Sequence, residues 1–165
     1  MELTIIQGYR FYKSPKFHTH AYVSDTLIKE AVSEQFSYIK DCICNGIFDI
    51  SVTHDFTKII GTSHCIECPP HAKGVYFKRR GRRPYLSRMI KGKEPQETTL
   101  CTVVLRYNET AKEFIVISAW TGGQSKPELG NINYFERCTD PVKEIMESAI
   151  FWTRHALIEE NDERG

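Results

Sequence analysis

Phe48, Ile50 and Val52 alternate with Asp49, Ser51 and Thr53, and this two-residue repeat predicts a strand with one buried face. Upstream the period is different. Leu27, Ala31, Phe36, Ile39 and Ile43 recur near every 3.6 residues, after Ser24 or Asp25 as a cap and before Gly46 as a stop, so a helix is expected there. Residues 3–7 predict a short first strand, and the aromatics and Pro15 between Tyr9 and Phe17 an irregular segment. Extended pieces are expected over 59–67, ended by Pro69 and Pro70, and over 74–79, with Val75 and Phe77 on one face and Tyr76 and Lys78 on the other. The clearest strands are 100–107 and 113–121, which the polar turn 108–112 joins as an antiparallel hairpin. A loop rich in Gly, Pro and Asn follows, from 122 to about 140. Asp140 and Pro141 then open a last helix through Ile145, Ala149, Trp152 and Ala156. Residues 158–165 read as an acidic, frayed tail.

These elements predict an α+β fold: an N-terminal helix, an antiparallel sheet of about four or five strands, and a C-terminal helix packed on the sheet. At 165 residues, without a repeat or linker, the chain reads as a single domain, 1–165. Its 41% hydrophobic content suffices for one core and excludes a disordered chain. No apolar run approaches the ~18–20 residues of a membrane span. The N-terminus lacks the basic and apolar regions of an export signal, so the six cysteines are expected as reduced thiols in a cytoplasmic protein.

The formal charge of +1, from 22 basic and 21 acidic residues, hides an uneven distribution. Between Ala72 and Lys93 stand nine Lys or Arg and no acidic residue, leaving 13 basic against 21 acidic residues, a net of −8, elsewhere. The run KRRGRR at 78–83 is flanked by Tyr76 and Tyr85. Clustered cations repel one another and are best tolerated beside a polyanion. Arginine forks match phosphate oxygens, and interleaved aromatics can stack on bases. The competing reading is a solvated charge run on an exposed hairpin.

The stretch HCIECPPH at 64–71 carries Cys65 and Cys68 with the gap of a zinc knuckle, and His64 or His71 could add a ligand. No second CxxC completes a four-ligand site. The favoured reading is two cysteines on or beside a strand, with no metal and no cofactor, and a zinc-stabilised interaction protein is the least favoured alternative. His54, Ser118, Thr121 and His155 are scattered along the chain but chemically compatible with the basic cluster. Metal-free RNA cleavage needs a base for the 2′-OH, an acid for the 5′-oxygen and cations on the phosphorane. Histidine suits the proton transfers and Lys or Arg the added negative charge.

The segments VYFKRRGR (75–82), SR (87–88), ISAWTG (117–122) and FWTRHAL (151–157), in this order, resemble bacterial and phage nuclease-like domains of the barnase–EndoU–colicin–RelE superfamily, over roughly residues 59–157. The resemblance implies helices followed by a four-stranded antiparallel sheet, and a metal-independent endoribonuclease, often a toxin aimed at tRNA or mRNA. It implies that Lys78, Arg79 and Arg88 face the scissile phosphate, that Thr121, or Thr121 with Ser118, helps hold it, and that His155 moves a proton. His54 is selected on chemistry alone as the second proton carrier. Tyr76, Arg80, Arg82 and Arg83 complete the expected RNA contacts, and the expected product is a 2′,3′-cyclic phosphate. The alternative is a non-catalytic RNA-binding module using the 73–93 patch. An acidic antitoxin or immunity protein could cover the same patch; no membrane partner is expected.

Overall fold

A computed structural model describes residues 1–19, 23–80 and 85–159, the side chains at 16, 18, 19, 80, 85, 86 and 133 excepted. The chain is a mixture of helix and strand, with strands predominating and four helices among the described residues. It forms two compact units, each assembled from two stretches: Met1–Ser63 with Glu97–Gln124, and His64–Gln96 with Ser125–Gly165. Because each unit is built from separated stretches, no linker composition marks the boundary.

The chain opens with β1 (Glu2–Ile6) and β2 (Tyr9–Thr19), paired antiparallel with Ile6 opposite Tyr9. The two-residue turn between them has positive φ at both Gln7 (50°) and Gly8 (86°). That geometry belongs to the hairpin turn whose twist suits flanking strands. The segment expected to be irregular is therefore mostly strand. Pro15 leaves its mark nonetheless: the ladder from β2 to its later partner shifts register across it, as a residue without an N–H requires.

The expected first helix is divided into α1 (Asp25–Glu34) and α2 (Phe36–Cys44), with Gln35 between them at φ −97° and ψ 11°. Ser24 caps α1, its Oγ accepting from the Leu27 N–H at 3.2 Å. β3 (Asp49–Asp55) follows the alternation, burying Ile50 and Val52. The expected strand at 59–67 is two short pieces, β4 (Gly61–Ser63) and β5 (Cys65–Glu67), one in each unit. Then come β6 (Val75–Arg80), β7 (Tyr85–Ile90) and β8 (Gln96–Thr98). β9 (Leu100–Asn108) and β10 (Glu113–Thr121) form the hairpin expected from alternation, Glu113 facing Asn108. Within the expected loop lies a short helix, α3 (Ile132–Glu136). α4 (Pro141–Arg154) starts as read, with Asp140 Oδ1 accepting from the Lys143 N–H at 3.2 Å. It stops earlier than expected, and His155–Ile158 is a final strand, β11.

In the first unit the sheet order is β1-β2-β10-β9-β3, and β2 runs parallel to β10. The sheet is thus mixed rather than antiparallel, and a hairpin precedes the helices. The apolar faces of α1 and α2 bring Ile28, Val32, Phe36 and Ile39 into one core with Val103, Leu105 and Val116. Phe11 and Phe114 stack there with centroids 4.7 Å apart.

The second unit has its own sheet, β5-β11-β7-β6, so the C-terminal helix accompanies this sheet and not that of the long hairpin. Its core is small: Ile66, Cys68, Ile90, Ala156 and Ile158, with Ala72 and Val75 against it. That core explains the early end of α4. Ala156 and Ile158 are buried only as strand residues, with β11 paired to both β5 and β7.

Candidate functional site

The expected catalytic and RNA-binding residues divide between the units. His54, Ser118 and Thr121 belong to the first; Tyr76, Lys78, Arg79, Arg88 and His155 belong to the second. Arg82 and Arg83 lie outside the described residues, and of Arg80 only the strand position is described.

Within the first unit, His54 Nδ1 lies 3.2 Å from Gln35 Nε2, and its ring makes a T-shaped contact with Phe56, the centroids 4.8 Å apart. Ser118 is buried at the register shift of β10. Thr121 is buried too, and its hydroxyl donates to the Thr62 carbonyl. A Cβ at Gly61 would fall 2.9 Å from Thr121 Cγ2, so the methyl group is also in use, as the reason that position 61 is glycine. Thr121, expected at a phosphate, secures β4 against β10.

In the second unit the β6–β7 hairpin carries the basic cluster. Strand alternation and register put Phe77 opposite Arg88 on one face, and Tyr76 opposite Met89 and Lys78 opposite Ser87 on the other. Arg88 faces inward and is 7% exposed. Its Nη1 donates to the carbonyls of Cys68 at 3.1 Å and His155 at 2.9 Å, and its Nη2 to that of Pro69 at 2.8 Å. This arginine, expected on a scissile phosphate, ties the chain after β5 to the start of β11. Position in the basic run carried no sign of that burial.

Lys78 is half-exposed and donates to Glu159 Oε1 at 2.7 Å; Lys91 approaches Glu159 Oε2 at 3.9 Å and lies over the Tyr76 ring at 5.0 Å. Arg79, Lys73, Lys91 and Lys93 are exposed. Glu159 is the contact that sequence reasoning missed, because it joins the patch from 81 residues away.

His155 sits where α4 becomes β11. Its Nδ1 is 2.8 Å from the Phe151 carbonyl, and its ring stacks on Phe151 at 4.0 Å. A carbonyl only accepts, so Nδ1 carries the proton and Nε2 of the neutral ring keeps its lone pair. Of the two proposed histidines, His155 is the one in the unit that holds the basic strand.

Beside β6 the second unit has a cleft of about 300 Å3, lined among others by Phe77, Arg88, Glu128, Leu129 and Trp152. Trp152 Nε1 donates to the carbonyls of Lys126 and Pro127 at 3.0 and 3.1 Å, which pins the 125–130 segment to α4. Ser87 Oγ donates to Glu128 Oε2 at 2.8 Å.

Among the described residues no group of three or more His, Cys, Asp or Glu is arranged to hold a metal. Burial, with the nearby charge of Glu128, pushes the Cys65 thiol up to about 12. Burial likewise pushes Cys101 up to about 11. No helix among the described residues is long and apolar enough to cross a membrane. Comparison with known proteins assigns the chain to no group: no family model, no curated protein and no solved structure matches it.

Proposed function

We propose that this protein binds RNA through the β6–β7 hairpin of its second unit. The observation that carries the reading is the outward display of Arg79, Lys73, Lys91 and Lys93 on a segment, 72–93, that contains no acidic residue. The phosphates of tRNA or mRNA would neutralise these charges, and the acidic remainder of the chain would repel RNA elsewhere. Titrating labelled tRNA at salt concentrations between 50 and 200 mM tests it. Affinity should fall steeply, by about one power of salt for each phosphate neutralised. Binding that is absent at low salt, or indifferent to salt, refutes the proposal.

A second reading, endoribonuclease activity of the kind implied by the resemblance to the barnase–EndoU–colicin–RelE superfamily, is favoured by His155. With Nδ1 directed at the Phe151 carbonyl, Nε2 is the ring nitrogen left to take up a proton as a general base. In this reading Lys78 and Arg79 supply the cations, while Arg88 and Thr121 serve the architecture around them. Incubation with tRNA in excess chelator should yield fragments ending in 2′,3′-cyclic phosphate, and His155→Ala should abolish them. Intact RNA after prolonged incubation would leave binding alone.

A further inference from the structure

The cleft of the second unit has features that a purely electrostatic patch does not explain. Phe77 is 64% exposed in the middle of the basic strand, between Tyr76 and Lys78, and strand alternation gives Arg79 the same face. Trp152 forms a second aromatic wall, held in place because its indole N–H is committed to two carbonyls. Arg88 also lines the cleft. Three of its five N–H groups are taken by carbonyls, and the remaining two have no partner among the described residues. Glu128 adds a carboxylate, which makes the lining nearly neutral overall.

We propose that this cleft seats one unpaired base of the bound RNA, stacked on Phe77 and hydrogen-bonded at its edge by Arg88. The inference rests on the RNA-binding reading above. A flat ring suits the aromatic walls, and every base presents an acceptor beside a donor, matching the N–H groups of Arg88 and the carboxylate of Glu128. A phosphate would meet the Glu128 charge and is better placed on the neighbouring Lys78 and Arg79. The volume, about 300 Å3, lies at the lower end of the ~300–1,000 Å3 of small-molecule sites, room for one base.

The test compares a labelled RNA octamer, the same octamer with abasic positions, and inorganic polyphosphate, binding to wild type, Phe77→Ala and Phe77→Tyr over a range of salt. Because Phe77 is largely exposed, its removal should leave the fold intact. Phe77→Ala should weaken binding of intact RNA about 5- to 100-fold, with an unchanged salt slope. It should leave polyphosphate binding as it was, and Phe77→Tyr should restore the RNA affinity. In a Trp120→Phe background, Trp152 emission should change with intact RNA but not with polyphosphate. Wild-type RNA affinity in Phe77→Ala overturns the base site while leaving the RNA-binding reading standing. So does an equal loss of RNA and polyphosphate. Wild-type protein that binds no RNA overturns both.

Discussion

Arg88 Nη1 donates to the main-chain carbonyl of His155 at 2.9 Å. The bond joins two residues proposed for one catalytic site, but it does so through backbone, at the point where α4 gives way to β11. The helix end frees the His155 carbonyl, and a buried guanidinium answers it together with the carbonyls of Cys68 and Pro69. Arg88 therefore secures the framework that presents the patch, in addition to lining the cleft.

Arg88→Ala should destabilise the second unit by about 3 kcal/mol, because three carbonyls, one buried and two partly buried, lose a charged donor at once. Urea denaturation followed by Trp152 fluorescence, in a Trp120→Phe background, measures the change. A shift under 0.5 kcal/mol, the range of an ordinary surface substitution, would contradict the bonding described.

Thr121→Val keeps the methyl group against Gly61 and removes the hydroxyl that donates to Thr62. The expected cost is roughly 1–2 kcal/mol of stability, the desolvation of an acceptor left alone. RNA affinity should not change. A loss of RNA affinity at unchanged stability would return Thr121 to the role that the sequence resemblance implied.

Arg79→Ala and Glu159→Gln should act in opposite directions. Arg79 is exposed, so its removal should reduce the dependence of log affinity on log salt by about 1 and leave stability within ~0.5 kcal/mol. Glu159 neutralises Lys78 and stands near Lys91, so the glutamine should tighten RNA binding several-fold and steepen the salt dependence. The ion pair is half-exposed, and its loss should cost no more than ~1 kcal/mol of stability. Weaker binding by Glu159→Gln would mean that the carboxylate orients Lys78 and does not mask it.

The buried thiols give a pH dependence. Cys65 and Cys101 ionise only at about 12 and about 11 in the folded chain, against an ordinary 9.0. Below about pH 9 both states keep the protons and stability is unaffected. Above it the unfolded chain ionises first, so stability falls with rising pH up to the folded values, by at most ~1.4 kcal/mol per pH unit for each thiol. Cys101→Ala should flatten this decline between pH 9 and 11 relative to wild type. In the folded protein the exposed Cys44 should be alkylated well before Cys101, which peptide mapping after brief iodoacetamide treatment would register.

The parts of the fold legible in advance are those specified locally. The β9–β10 hairpin and β3 follow directly from alternation, and Ser24 and Asp140 announce their helices through caps that need only adjacent residues. The β1–β2 hairpin escaped notice because Gln7 is an unusual occupant of a positive-φ turn and Pro15 speaks against a strand. The end of α4 was misplaced because the sequence FWTRHAL continues a helical period. Only pairing with β5 and β7 draws 155–158 into a sheet.

The basic patch shows the same division. Its existence, position and lack of acidic neighbours were determined by the sequence alone, since formal charge is counted along the chain. Which of its cations remain available was decided by tertiary structure. Arg79 and Arg88 are equivalent as letters in a basic run, yet one is exposed and the other is enclosed by carbonyls from 68, 69 and 155. Lys78 is claimed by a glutamate 81 residues away. Desolvation and hydrogen bonding act between groups that folding brings together, so the charge of the patch is a property of the sequence and its availability a property of the fold.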